Sequence, residues 1–180
     1  MIPKEFYELP IFKTLSRDEV DEIGRLAKPM NFQAGEEIFR EKSPSNHLDI
    51  IWEGSVEISK LDNDGDNRVI TTIREKSVVG EMSLMSGLGR SCSGVAVSDV
   101  AIYRIRREDF VDLLDRGSLA AYKVIYNLAQ VMSGRLRAVD EKLVNLLNQK
   151  EEVEEQVANQ DKSQEDFSDF RKKLFTEWAF

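Results

Sequence analysis

The hydrophobic period of the chain changes twice, and each change marks a boundary. Between residues 4 and 28 the apolar Phe6, Leu9, Phe12 and Leu15 recur every third residue, and Ser16-Arg17-Asp18-Glu19 then forms a capping box. Behind that cap Val20, Ile23, Leu26 and Ala27 keep helical spacing, which predicts a small helical lid over residues 1–29. From Met30 to Ile105 the pattern becomes alternation, with glycine-centred turns at short intervals, so residues 30–117 are expected to form short antiparallel strands in a sandwich or barrel. Phe32 to Phe39 and Leu48 to Ile58 read as its opening strands, Gly94 to Val97 and Ala101 to Ile105 as its closing ones, and Glu108 to Leu114 as a helix. A helical period returns at Ser118 and runs to about Gln160, where Leu136, Val139, Leu143, Leu146, Lys150, Val153 and Val157 follow 3-and-4 spacing. Such a seam predicts a parallel dimer through residues 118–160. Beyond it, in 161–180, Phe167, Phe170, Leu174, Phe175 and Trp178 share one helical face, which is expected either to fold back or to dock on a protein partner as a helix in a groove.

Within the alternating region one run departs from both periods. Val79-Gly80-Glu81-Met82-Ser83-Leu84-Met85-Ser86-Gly87-Leu88-Gly89-Arg90-Ser91-Cys92-Ser93 reads as one helical turn over Glu81 to Met85, opened by Gly80 and closed by Gly87, with Arg90 returning on the next strand. N–H groups at a helix start and an arginine fork together bind a phosphate. Glu81 suits a sugar hydroxyl instead, because a carboxylate only accepts and a ribose 2′-OH donates. Phosphate and ribose in one segment imply a nucleotide.

This run resembles the phosphate-binding cassette of the cyclic nucleotide-binding domain, a family that includes catabolite activator proteins, protein kinase A regulatory subunits and cyclic-nucleotide-gated channels. The shared pattern is Gly-Glu-apolar-small-Leu, a short loop, then Arg followed by small residues, and the resemblance extends over about residues 11 to 147. It implies a mainly β fold with flanking helices, an antiparallel β-roll of jelly-roll type followed by a long dimerisation helix. It also implies that Glu81 takes the ribose 2′-OH, that Arg90 and Ser91 take the cyclic phosphate, and that N–H groups around Met82 and Ser83, behind Gly80, complete the cradle. On the dimer helix it extends the site to Arg135, Val139 and Asp140. Val139 and Asp140 stand where catabolite activator proteins place Thr and Ser on adenine, so the ligand is expected to be cAMP or cGMP, with Asp140 suited to guanine N1–H and N2–H₂. Just before the cassette the family usually has a turn glycine; here Ser77 is expected to serve a type I turn.

Composition narrows the classes. At 180 residues and 41% hydrophobic the chain is sized for one domain with an appendage. No run approaches the ~18 consecutive apolar residues of a membrane span, and Met1-Ile2-Pro3-Lys4-Glu5 lacks a signal-peptide core, so a cytoplasmic protein with no membrane contact is expected. The lone Cys92 and lone His47 leave no internal disulfide and no zinc set; Cys92 reads as a small buried hydrophobe and His47 as a loop residue. Asp62-Asn63-Asp64-Gly65-Asp66 reads as a hairpin turn rather than a calcium loop, since Asn67 and Ile73 fall where an EF-hand needs Gly and Glu. The net charge is −8, and from Val139 onward eleven acidic residues face six basic ones. That balance, with no helix-turn-helix pattern after the dimer helix, predicts no DNA binding by this chain alone. No nucleophile with its base, catalytic carboxylate pair or P-loop is visible, so the expectation is a receptor rather than an enzyme, with a ligand and no cofactor. The alternatives are a non-sensing or cyclic di-GMP-binding scaffold, or the detached regulatory domain of a larger protein.

Overall fold

Two short 3-10 helices, Lys4–Glu8 and Pro10–Phe12, open the computed structural model, which describes residues 3–44 and 46–177, with side chains through residue 150 except Lys4. Helix α1 (Arg17–Gly24) starts on the expected capping box: the Glu19 N–H donates to Ser16 Oγ at 3.4 Å and the Ser16 N–H to Glu19 Oε2 at 2.6 Å. Eight strands follow, β1 (Lys28–Phe32), β2 (Glu37–Phe39), β3 (His47–Glu53), β4 (Ser55–Leu61), β5 (Asn67–Arg74), β6 (Ser77–Val79), β7 (Ser93–Ala96) and β8 (Val100–Arg106). They form two antiparallel four-stranded sheets in the orders β1-β8-β3-β6 and β2-β7-β4-β5. Helix α2 (Glu81–Ser86) lies between β6 and β7, α3 (Arg107–Asp115) follows β8, and α4 (Leu119–Glu177) ends the description. The architecture is the β-roll with flanking helices that the alternation and the resemblance led us to expect.

The two faces of the first sheet bury different cores. Leu48, Ile50 and Ile105 pack against Phe6, Phe12, Val20, Ile23 and Phe110, with Val124 and Leu128 from the first turns of α4. Phe6 meets the rings of Trp52 and Tyr103 at 5.3 and 4.8 Å between centroids, which fixes the opening helix on the sheet. The opposite face turns Ile51, Val79 and Ile102 toward Phe39, Val56, Ile58 and Ala96 of the second sheet, and that is the interior of the roll. Because side chains alternate along a strand, Asp49 projects on the same side as Ile51, and Arg104 on the same side as Ile102. This places two charged residues toward the interior.

The lid is tied to α4 by polar contacts as well. Lys123 Nζ donates to both Glu19 carboxylate oxygens at 2.7 and 2.8 Å, and Asn127 Nδ2 donates to the Ile11 carbonyl at 2.9 Å. Asn127 is buried, and its oxygen accepts from Thr14 Oγ1 at 3.2 Å. The β4–β5 connection is the expected hairpin: Asp62 Oδ1 accepts the N–H groups of Asp64 and Asp66 at 3.0 and 2.9 Å.

Three expectations are corrected. Lys76, not Ser77, carries the unusual backbone of the turn before β6, with φ 61, while Ser77 already belongs to the strand; the Lys76 N–H is held by the Ile51 carbonyl at 2.8 Å. His47 is not a loop residue: it opens β3, opposite Arg106 of β8. The last helix does not stop near Gln160 but continues to Glu177, since no Pro or Gly interrupts it after Gly134. The chain divides into two compact units, the first ending at Val131 and the second beginning at Met132. The aromatic face expected in 161–180 falls on side chains outside the described ones, and Trp178 and Phe180 lie outside the described residues altogether. Among the described residues no helix is long and apolar enough to cross a membrane.

Candidate functional site

The run from Val79 to Ser93 folds as strand, glycine, short helix, glycine and loop. Gly80 caps α2 with φ 87 and Gly87 ends it with φ 71, a left-handed conformation that costs glycine nothing and an L side chain about 1–2 kcal/mol. The helix start leaves its first N–H groups without intrahelical acceptors, directly after Gly80. At the other end Arg107 Nε donates to the Leu84 carbonyl at 3.0 Å and holds the helix to the base of α3. Glu81 and Ser83 are buried, whereas Met82 is exposed.

Arg90 was expected on the strand that follows; it lies instead in the loop, three residues before β7. Its backbone is paired, but with another loop: its N–H donates to the Ser43 carbonyl at 3.1 Å, and its carbonyl accepts from the Lys42 N–H at 2.9 Å. The side chain turns inward and is almost completely buried. Nη2 donates to Asp49 Oδ2 at 2.9 Å, and the guanidinium carbon stands 4.4 Å from the centre of the Phe39 ring. Among the described residues Nε and Nη1, both buried, have no hydrogen-bond partner. Each orphaned donor costs about 1–3 kcal/mol, and a phosphate oxygen is the kind of acceptor that relieves it.

Asp49 is itself fully buried and is shared. Arg104, its direct cross-strand neighbour, donates Nε to Oδ1 at 2.7 Å and Nη2 to Oδ2 at 3.1 Å. His47 Nε2 stands 3.3 Å from Oδ2, close enough for an ion pair when the imidazole is protonated. Burial pushes the Asp49 carboxyl up, but His47 and Arg104 outweigh it and hold the group below the usual carboxylate range. Burial lowers the Arg90 guanidinium and the Asp49 charge acts against that; the balance lies below the ordinary value, in a group that stays protonated in proteins. The half-buried Cys92 thiol is pushed up by burial, which makes it a poor nucleophile and fits the expected packing role.

The comparisons with known proteins point to the same segment. Residues 29–117 match the family described as cyclic nucleotide-binding domain. Through them the chain belongs to that family. The chain is 32% identical over 131 residues, 73% of its length and 59% of the relative's, to the cyclic AMP receptor protein of Thermus thermophilus. It is 21% identical over 136 residues, 76% of its length and 17% of the relative's, to human cGMP-dependent protein kinase 2. Its structure is similar to that of the Thermus thermophilus catabolite activator protein, with a TM-score of 0.67 and 30% identity over 76% of this chain and 62% of that one. The chain thus spans about three-fifths of the length of the cyclic AMP receptor protein it matches.

In this cyclic nucleotide-binding domain the first unit brings Gly80, Glu81, Met82, Ser83, Arg90 and Ser91 into one short cassette, with Ser91 exposed. Arg135, Val139 and Asp140 belong to the second unit, and Val139 and Asp140 are exposed there. Asp49, Arg104 and His47 were not among the expected site residues. For Asp49 and Arg104 the only sequence signal is a charged residue between apolar ones, as in Leu48-Asp49-Ile50 and Tyr103-Arg104-Ile105, which ordinarily marks the solvent face of a strand. Gly80 is the most constrained backbone position of the cassette: a methyl group there would collide with the Arg90 guanidinium and stand 2.6 Å from the His47 carbonyl. Gly80→Ala is therefore expected to lose about 1–2 kcal/mol of stability from backbone strain alone and to weaken nucleotide binding by displacing Arg90. Urea unfolding and ligand titration of the same variant check both parts.

Proposed function

We propose that the chain is a cyclic mononucleotide receptor that takes cAMP or cGMP in its cassette and relays occupancy to a partner through rearrangement of its helices. The role is binding, without chemistry on the nucleotide. The observation that supports it most is the interior guanidinium of Arg90, which keeps two donor nitrogens, Nε and Nη1, without a partner among the described residues, beside Gly80 and the start of α2. On this reading Arg90 and Ser91 take the phosphate, Met82 and Ser83 supply N–H groups, and Glu81 accepts from the ribose 2′-OH. Membership of the family supports the nucleotide class. One named relative is a cyclic AMP receptor and another a cGMP-dependent kinase, so likeness alone favours neither base.

The relay is supported by the contacts of the lid with the first turns of α4, since Glu19–Lys123 and Ile11–Asn127 oblige those elements to respond together. The exposed apolar seam of α4 supports a homodimer, and the segment after residue 160 is our candidate for a protein partner. Arg135, Val139 and Asp140 are assigned to the base by resemblance. If Asp140 reads guanine, Asp140→Ala lowers the preference for cGMP over cAMP by about tenfold, the discrimination of one good polar pair to a base. Competition between the two nucleotides measures it, and an unchanged ratio removes Asp140 from the site.

Thermal unfolding with cAMP, cGMP and cyclic di-GMP tests the proposal. A ligand at about 100 times its Kd adds about 2.7 kcal/mol of apparent stability. Stabilisation of the wild type by a cyclic mononucleotide supports the receptor. A response to cyclic di-GMP alone, or to none of the three, favours the scaffold instead.

A further inference from the structure

The pairing of Asp49 with Arg90 is asymmetric. Arg104 already engages both Asp49 oxygens, at 2.7 and 3.1 Å, and does so from the directly opposite position of the neighbouring strand. Asp49 would be compensated by Arg104 alone. For Arg90, in contrast, the 2.9 Å bond from Nη2 to Asp49 is the one side-chain hydrogen bond its guanidinium makes among the described residues, since Nε and Nη1 have no partner there. The Phe39 ring limits one face of the same group at 4.4 Å, and the missing side chain of Gly80 makes room beside Nη1. The guanidinium is therefore gripped at one nitrogen and left with donors at the other two.

In the series Arg104–Asp49–Arg90 two guanidinium groups share one carboxylate, so Asp49 is not the counter-charge of Arg90 alone.

We infer that Asp49, itself anchored by Arg104, is a positioning residue for the ligand phosphate, setting the direction in which Arg90 presents its unpaired donors. The inference rests on the cyclic nucleotide reading of the cassette, and it concerns residues of β3 and β8 outside the run that defines the cassette. Asp49 does not touch the nucleotide; it acts through Arg90.

The test uses the full chain and the two phosphorothioate diastereomers of cAMP, which differ only in which exocyclic phosphate oxygen is replaced by sulfur. A correctly held Arg90 distinguishes them. Asp49→Asn keeps the side-chain shape and removes the charge. Its affinity for cAMP is expected to fall by about tenfold, the loss of roughly one charge-assisted hydrogen bond's worth of orientation, and its preference between the diastereomers to shrink toward unity. Arg104→Lys, which keeps the charge of the anchor but not its fork, is expected to shift the preference in the same direction and by less. Should the Asp49 variant fail to fold, the Arg104 variant carries the test.

A merely structural Asp49 lowers affinity for both diastereomers alike, and an unchanged preference in a variant that folds overturns the inference. So does Asp49→Asn binding cAMP as tightly as the wild type. Both results leave the receptor reading standing. Absence of any cyclic nucleotide binding by the wild type removes that reading and this inference together.

Discussion

Arg90→Ala is expected to weaken cyclic nucleotide binding by about a hundredfold or more while changing the stability of the ligand-free chain comparatively little. The first half follows from the donors: two nitrogens of a charged, buried guanidinium have no partner among the described residues, and each charge-assisted bond to phosphate is worth about 1.5–3 kcal/mol, where 1.4 kcal/mol is tenfold in affinity. The second half follows from Asp49. Removing one partner of a buried ion pair ordinarily costs about 3–5 kcal/mol because a bare charge is left behind. Here Asp49 keeps Arg104 on both oxygens, and the two orphaned donors vanish with the side chain. Arg104→Ala should behave in the opposite way. Asp49 then keeps Arg90 on Oδ2, but Oδ1 loses its hydrogen bond and the side-chain tie between β3 and β8 is broken, so the loss of stability is expected to be the larger of the two, about 2–3 kcal/mol. Urea unfolding without ligand and isothermal titration with cAMP give both orders. The account fails if Arg90→Ala unfolds the chain as readily as Arg104→Ala, or if it still binds nucleotide normally.

Leu143→Asp is expected to convert the proposed dimer to monomer. Leu136, Val139, Leu143 and Leu146 recur at 3-and-4 spacing on α4, and all four are between 54% and 63% exposed. Single exposed leucines are ordinary, but a stripe of them on one helix is a surface that water disfavours. In a parallel pair each substitution acts twice. Burial of one leucine contributes about 1.5–3 kcal/mol, so the two copies lose about 3–6 kcal/mol, and two facing carboxylates add repulsion. Dimer affinity should therefore fall by at least about a hundredfold, which sedimentation velocity over a range of concentrations reads directly. A wild-type chain that stays monomeric, or a Leu143→Asp chain that stays dimeric, rules this seam out.

Much of the molecule was legible from its residues. The Ser16–Glu19 box set the start of α1 because its hydrogen bonds close within four residues. The alternation from Met30 marked the strands, and the acidic turn at Asp62 to Asp66 marked the β4–β5 hairpin. Gly80 and Gly87 bounded α2 for a local reason, since both adopt positive φ. These features need only nearest neighbours along the chain.

What lay beyond sequence reading depended on which face of a strand is covered. Leu48-Asp49-Ile50 and Tyr103-Arg104-Ile105 carry the pattern of strands with one wet face, and by that pattern Asp49 and Arg104 belong in water. The fold covers β3 on both sides, with the lid and α4 against Leu48 and Ile50 and the second sheet closing over Ile51. Asp49 is then inside, and a buried carboxylate must find cations; strand register supplies Arg104 opposite it, and the loop before β7 supplies Arg90. The residues of the cassette are fixed by local sequence, because glycine conformation and helix starts are properties of a few adjacent residues. The direction in which Arg90 points is fixed by tertiary structure, because its partner lies 41 residues away on another strand and no local rule connects them.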